Sequence, residues 1–562
     1  MNLQIRRREP GEPDALPAEL HPVVRRVYAA RGVCRAEDTD HRLARLLPPT
    51  LNGLAEGARL LADAIEAGQL IVVVGDYDAD GATSTALALS QMQQMGAERL
   101  DFLVPNRFTD GYGLSPAIVE RAAEIGAEVI VTVDNGISSL AGVRAARERG
   151  MRVIVTDHHL PGPELPAADA IVNPNAGGCG FPSKHLAGVG VLFYLMTALR
   201  AELKARGAFE QRPAPRLAEG LDLVALGTVA DVVRLDHNNR VLVTEGLRRM
   251  RAGRLRPGIA ALLEVAGRDY RHLGASDLGF ALGPRINAAG RLEDIGIGIR
   301  CLLATEIGEA QELAAELQRI NAERRNTEAQ MRDEALVQVE ANDDVGVCLY
   351  DETWHEGVVG LVAGRVKEKL HRPTVAFAPA QADGELKGSA RSIPGLHIRD
   401  ILASIDAAKP ALITRFGGHA MAAGLTLPLA HLDEFGRRFD AACREAADPA
   451  LLERVQLSDG ELDDSEWGLE SALALEAAGP WGQGFPEPLF DGEFEVIDSR
   501  TVGGTHQKYR LRRASGEPIA AIHFGGAEQP VTGRARALYA VSVNRFRGRE
   551  TAEMRIEGIE PA

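Results

Sequence analysis

The segment Gly75-Asp76-Tyr77-Asp78-Ala79-Asp80-Gly81 crowds three carboxylates into one turn, directly after the apolar run IVVV at 71–74. Like charges so close repel unless cations neutralise them, so this segment is expected to hold something positive. Asp134, in Asp134-Asn135-Gly136, follows a second apolar run, EVIVTV at 128–133, and Asp157-His158-His159 follows a third, RVIVT at 152–156. Asp231, in Thr228-Val229-Ala230-Asp231-Val232, completes the set if it reaches the same edge. The carboxylates of Asp78, Asp80, Asp134 and Asp231 then balance two divalent ions, and His158 adds one imidazole. A mixed oxygen and nitrogen shell suits Mn²⁺, with Mg²⁺ the alternative. Two such ions activate a water and stabilise charge on a phosphoryl group during in-line displacement. Asp76 either ligates metal or holds the loop. Singly, each motif reads as a helix N-cap, a turn former or a surface histidine; it is their coincidence, each at a strand end of one sheet, that favours metal.

The surrounding pattern explains how such residues would be brought together. From 70 to 155 short apolar runs alternate with helical stretches, at 85–94, 116–124 and 140–149, which reads as repeated βαβ units and a parallel sheet. Open parallel sheets carry their sites at the carboxyl ends of the strands. Residues 306–340 show apolar positions at helical spacing (Leu313, Leu317, Ile320, Met331, Ala335, Val339), with no Gly or Pro after Gly308. One long helix joining two lobes is expected. A second α/β domain follows from VGVCLY at 345–350. Near the far end the short runs EFEVI, KYRLR, IAAIHF, LYAVSV and EMRIE, joined by Gly-rich turns, predict a small barrel of OB type. The expected division is a leader at 1–69 without chemistry, an α/β catalytic domain at 70–304, a connecting helix at 305–340, an α/β domain at 341–445 and a barrel domain at 446–562.

With 562 residues the chain exceeds what one core sustains, and 45% hydrophobic and 25% charged residues match an ordinary globular protein. No segment approaches the length that spans a bilayer, so no membrane partner is expected. The five scattered cysteines never form CxxC, which argues against a disulfide framework or zinc knuckle and for the cytoplasm. The net charge of −16 argues against a nucleic-acid partner only if charge is uniform; arginines in a groove and bound cations hold a polyanion locally.

The motifs GDYDADG (75–81), PNR (105–107), DNG (134–136), DHH (157–159), GTVADVV (227–233) and GPRINAAGR (283–291) stand in the order seen in RecJ exonucleases of the DHH phosphoesterase superfamily, which the chain resembles. WHEGVVGLVAGR (354–365), SARS (389–392), GGHAMAAG (417–424) and PWGQGFPEPLF (480–490) extend the resemblance into the later domains. It implies a DHH domain, a DHH-associated domain and an OB domain, and degradation of single-stranded DNA from its 5′ end. It implies Asp78, Asp80, Asp134, His158 and Asp231 as metal ligands, with His159 near the reactive water or scissile phosphate. It places His419 on the scissile phosphate, Arg285 and Asn287 along the substrate path, and Arg107, Ser389 and Arg391 in a pocket for the terminal 5′ phosphate. Its implied partners are single-stranded DNA, a single-strand-binding protein and a helicase. The same chemistry on short oligonucleotides or cyclic dinucleotides is the alternative, and a non-catalytic scaffold would be expected to have lost ligands. Tyr509, Phe524, Tyr539 and Phe546, interleaved with Lys508, Arg510, Arg545 and Arg547, either stack bases or fill the barrel core.

Overall fold

The computed structural model describes the chain apart from residues 1–3, 107–109, 340–342, 383 and 514–515. It forms two compact units: Met1–Gln318 together with Gln456–Ala562, and Arg319–Val455.

In the first unit five parallel strands lie in the order Leu100–Leu103, Ile71–Val74, Val129–Val133, Arg152–Thr156, Ala170–Val172. Every residue of Ile71–Val74 and Val129–Val133 is buried, as unbroken β-branched runs covered on both faces should be. The chain order reverses between these two strands, so their carboxyl ends splay apart and leave a crevice. The acidic motifs open into it. The helix after Ile71–Val74 runs Ala79–Met95, beginning earlier than the 85–94 stretch predicts: Asp78 is its N-cap, accepting from the N–H of Asp80 and of Gly81 at 3.0 Å each. Asp80 therefore sits in the first helical turn.

The same unit contains a closed five-stranded barrel, Phe490–Val502, His506–Arg512, Ile519–His523, Gly533–Phe546 and Arg549–Pro561. The barrel separates the four aromatics. Tyr509 and Tyr539 are buried in its core, whereas Phe524 and Phe546 are 56% and 64% exposed. The leader packs within this unit through Tyr28, whose hydroxyl donates to Ala478 O at 2.6 Å, and Arg31, whose guanidinium is buried on Asp459 at 2.6 and 2.9 Å.

The second unit carries a five-stranded sheet ordered Arg415–Gly418, Ala422–Pro428, Glu385–Arg391, Thr374–Pro379, Val347–Tyr350, in which only the last pair is parallel. Its core includes Phe377, Phe435 and Phe439. Trp354 is buried, and its Nε1 donates to Glu334 at 2.9 Å. The long helix spans Ile307–Val339.

Candidate metal centre and phosphate-binding residues

Three of the sheet's carboxyl ends converge. Asp80, His158 and Asp231 offer ligand atoms all within 4.8 Å of one another; so do Asp76, Asp78 and Asp134, and so do Asp134, His158 and His159. His158 links the groups, its Nε2 lying 3.1 Å from Asp134 Oδ1 and 3.4 Å from Asp231 Oδ2. Asp231 is not at a strand end, contrary to the expectation. It is the C-cap of the Leu221–Ala230 helix, whose apolar residues pack it against the helices Ala79–Met95, Gly188–Ala205 and His237–Arg251 and deliver the carboxylate from its end. The site is thus built from strand ends and one helix end.

Asp80 is fixed from both sides. Its Oδ2 accepts from Gly188 N at 2.6 Å and its Oδ1 from Val189 N at 3.0 Å, the first N–H groups of the Gly188–Ala205 helix, where the helix dipole also favours a carboxylate. Gly188 is required here: a Cβ would lie 2.6 Å from Asp134 Cβ and 2.7 Å from Asp134 Oδ1. Gly188→Ala is expected to cost about 1–3 kcal/mol of stability through overpacking and to weaken Mn²⁺ binding, because the shift falls on two ligands at once. Thermal melting with and without Mn²⁺ checks both effects. Backbone strain marks the same place. Asp134 has φ 61° and Val232, next to Asp231, φ 60°, and such conformations cost about 1–3 kcal/mol each unless the surroundings impose them.

Electrostatics show what these carboxylates lack. Burial and the charge of Asp78 push the Asp80 carboxyl up to about 7. Burial, followed by repulsion from Asp80 and Asp78, holds Asp134 and Asp231 well above the ordinary carboxylate range. Asp134 Oδ1 and Asp231 Oδ2 are buried and accept no hydrogen bond among the described residues. Buried carboxylates are paired, protonated or bound to cations, and oxygen-rich clusters that include an imidazole suit divalent metal ions. The residues present fit such an ion.

Asp157, which sequence reasoning left without a role, organises the neighbouring loop. Its Oδ2 accepts from Ile137 N at 2.9 Å; its Oδ1 accepts from His158 N and His159 N and lies 2.8 Å from His159 Nδ1. Burial lowers the affinity of His159 for a proton, but the bond to Asp157 and the charges of Asp157, Asp76 and Asp78 outweigh it and raise the group to about 8. The Tyr112 hydroxyl donates to Asp134 O at 3.0 Å and lies 3.4 Å from His159 Nδ1. The role of Tyr112 has no local signature, since Asp134 and His159 are 22 and 47 residues away, whereas the contact of Asp157 with His159, two residues on, lies within the motif itself. Asp76 turns part of its carboxylate to the loop, Oδ1 accepting from Tyr77 N at 2.7 Å. Asn287 Oδ1 accepts from Ala79 N at 2.7 Å, capping the metal-site helix from the Gly283–Leu292 helix, and Arg285 donates to Ala281 O at 2.5 Å.

In the second unit, Leu386, Gly388 and Ala390 face inward along one strand while Lys387, Ser389 and Arg391 occupy its other face. Arg391 Nη1 donates to Ser389 Oγ at 2.9 Å. The Val359–Leu370 helix begins beside them, and a Cβ on Gly360 would lie 2.8 Å from both Ser389 Oγ and Arg391 Nη2. A hydroxyl, a guanidinium and a helix N-terminus together suit a phosphate. His419 is exposed in the hairpin turn between Arg415–Gly418 and Ala422–Pro428, and Ala422 pairs with Arg391, so both lie at one end of this sheet. Arg107 lies outside the described residues.

Comparison with known proteins places this geometry. Residues 70–228 match the model of the DHH family, N-terminal domain, residues 342–445 the DHHA1 domain and residues 458–558 the RecJ OB domain. The chain is 52% identical to the single-stranded-DNA-specific exonuclease RecJ of Escherichia coli (strain K12), over 100% of its own length and 99% of that protein's. This chain belongs to the RecJ family. It is 34% identical to the Bacillus subtilis (strain 168) member, covering 99% of this chain and 70% of that one. The crystal structure of RecJ from Thermus thermophilus in complex with Mn²⁺ is similar, with a TM-score of 0.82 at 32% identity, covering 97% of this chain and 76% of that one. The family's three domains are the parallel-sheet DHH domain, the DHHA1 domain and the OB barrel seen in the fold. No helix among the described residues is long and apolar enough to cross a membrane.

Proposed function

We propose that this chain is a metal-dependent exonuclease specific for single-stranded DNA, which hydrolyses the strand from its 5′ end, releases 5′ mononucleotides and serves recombination and repair. One observation carries the reading: the buried carboxylates of Asp80 and Asp134 and the half-buried one of Asp231 gathered around His158, with Asp134 Oδ1 and Asp231 Oδ2 accepting no hydrogen bond among the described residues, in a chain whose relatives are named for this activity. Asp78, Asp80, Asp134, His158 and Asp231 are the proposed ligands, with Asp76 shared between ligation and the loop, and Mn²⁺ as two ions is favoured over Mg²⁺. When bound, such ions lower the pKa of the attacking water and offset charge on the phosphoryl oxygens.

The chain's own residues supply the rest. Asp157 orients His159, which in this reading faces the scissile phosphate and donates a proton or a positive charge there. In the same reading Arg285 and Asn287 line the strand's path in the first unit, while in the second Ser389 and Arg391 receive the terminal 5′ phosphate and His419 contacts a phosphate of the strand; Arg107 lies outside the described residues. The five-part division of the chain, the cytoplasm as its compartment, and a single-strand-binding protein and a helicase as partners belong to the same proposal.

Digestion of single strands labelled at either end tests it. The expected result is Mn²⁺-dependent release of mononucleotides from the 5′ end, unchanged duplex, and faster digestion of long strands than of dinucleotides. Arg391→Ala should cut the rate on 5′-phosphorylated strands about tenfold or more while barely changing the rate on 5′-hydroxyl strands, since one charge-assisted contact is worth about that factor. Release from the 3′ end, or equal loss on both substrates, would overturn polarity or pocket respectively.

A further inference from the structure

Phe280 is 86% exposed, although Leu278 and Leu282, which flank it, are fully buried. The three stand on a π-helical turn, Leu278–Leu282, that runs without a break into the Gly283–Leu292 helix. Turns of this kind are rare and are found frequently at functional sites. This one packs on the residues that deliver Asp231: a Cβ on Gly279 would lie 3.2 Å from Val229 Cγ1, and one on Gly283 3.0 Å from Ala230 Cβ. Val232, directly after Asp231, is 64% exposed at φ 60°. Two large apolar side chains thus stand in water beside the segment that carries a metal ligand, and whatever covers them is stabilised by doing so.

Both side chains line one cavity of about 540 Å³ within the first unit. Pro480 and Trp481 line it too, with Ser542 and Val543 of the barrel strand Gly533–Phe546. The loop that carries Trp481 is tied to the chain just beyond Asp231, Leu235 N donating to Gln483 O at 2.7 Å. Trp481 itself is held in place: its Nε1 donates to Leu475 O at 3.0 Å and its ring stacks on Phe485 with centroids 5.1 Å apart. The charged residues of the lining are already engaged. Arg251 donates to Leu273 O at 2.7 Å, Glu476 accepts from Arg545 at 2.9 and 3.0 Å, and Glu487 accepts from Arg555. An occupant therefore meets aromatic and aliphatic surface with neutral polar groups, Ser276 and Ser542 among them, which suits a flat base rather than a phosphate.

We propose that this cavity receives an unpaired base of the strand being digested, stacked on Phe280. The inference rests on the reading of the metal centre as the place of cleavage. Phe280 immediately precedes Ala281, whose carbonyl oxygen holds Arg285, the residue assigned to the strand's path, so neighbouring residues meet the backbone and a base of one strand. A ring that stacks on an unpaired base gains nothing from a duplex, whose bases already cover one another's faces. Phe280 is in this way a specificity-determining residue for single strands.

Digestion in Mn²⁺ of single strands that carry one abasic nucleotide, placed at successive positions from the 5′ end, tests it. For the native chain one placement should raise KM about tenfold over the unmodified strand, the loss of a single stacked base. Phe280→Ala should raise KM on the unmodified strand by about the same factor, and the abasic strand should then lose nothing more, because ring and base form one contact. Phe280→Trp should restore the native KM. The ring being exposed, native and variant chains should melt together. An unchanged KM for Phe280→Ala, losses that multiply, or an equal loss in Phe280→Trp would overturn the proposal. So would a Phe280→Ala chain that differs from the native one only in sedimentation, which would mark the cavity as a contact with a second copy. A native chain that leaves unmodified strands uncut would overturn the reading of the metal centre and this inference with it, a result distinct from all of these.

Discussion

Asp134→Ala should abolish Mn²⁺-dependent digestion, by about 10³-fold or more, while leaving the metal-free protein at least as stable as the native one. The first effect follows from geometry, because Asp134 is the residue whose ligand atoms belong with Asp76 and Asp78 on one side and with His158 on the other. Its loss breaks the cluster at the junction, and catalytic cations supply several kcal/mol of charge stabilisation. The second effect is opposite in sign to that of an ordinary buried polar deletion. Asp134 is 2% exposed, lies among other carboxylates and leaves Oδ1 without a hydrogen bond, so the metal-free fold is relieved of a cost when it is removed. Melting temperature in chelator and turnover in Mn²⁺ check the two halves. A variant that is both inactive and much less stable in chelator would point to a structural residue instead.

Mn²⁺ should stabilise the protein more at pH 8 than at pH 5.5. The folded-state pKa of Asp80 is raised to about 7, and those of Asp134 and Asp231 are likewise raised above the ordinary value of about 4. A raised folded-state pKa contributes stability that is complete below the unfolded value and is lost as the pH climbs through the folded one. The metal-free chain therefore weakens between about pH 4 and pH 7 and beyond. Cation binding requires the deprotonated carboxylates, so it strengthens over the same interval. At a hundred times its dissociation constant a ligand adds about 2.7 kcal/mol, enough to move the melting temperature by a few degrees. Melting curves in chelator and in Mn²⁺ at the two pH values decide it. An increment that is equal at both, or larger in acid, would place the ion elsewhere.

Much of the centre was legible because charge crowding is a local property. Asp76, Asp78 and Asp80 stand within one turn of each other, and Asp134 and His158 follow runs whose strand character is unmistakable. What was not legible depends on long-range approach. That Asp80 is gripped by Gly188 N and Val189 N, more than a hundred residues away, has no mark in either segment. Asp231 reads equally well after a strand or a helix, because an apolar stretch that is buried all round carries no period to separate them. In the barrel, alternation showed that some aromatics turn inward but not which: Tyr509 and Tyr539 are buried while Phe524 and Phe546 remain on the surface, next to His506 and Arg547 respectively.

The first unit is assembled from the two ends of the chain. Arg31 meets Asp459, and Tyr28 meets Ala478, only after more than four hundred intervening residues have been made. During synthesis the leader must wait, its arginine solvated, while the whole Arg319–Val455 segment emerges and folds. A ribosome stalled before residue 459 thus displays an unfinished first unit, and loss of the residues from 459 onward would leave Arg31 and Tyr28 without Asp459 and Ala478.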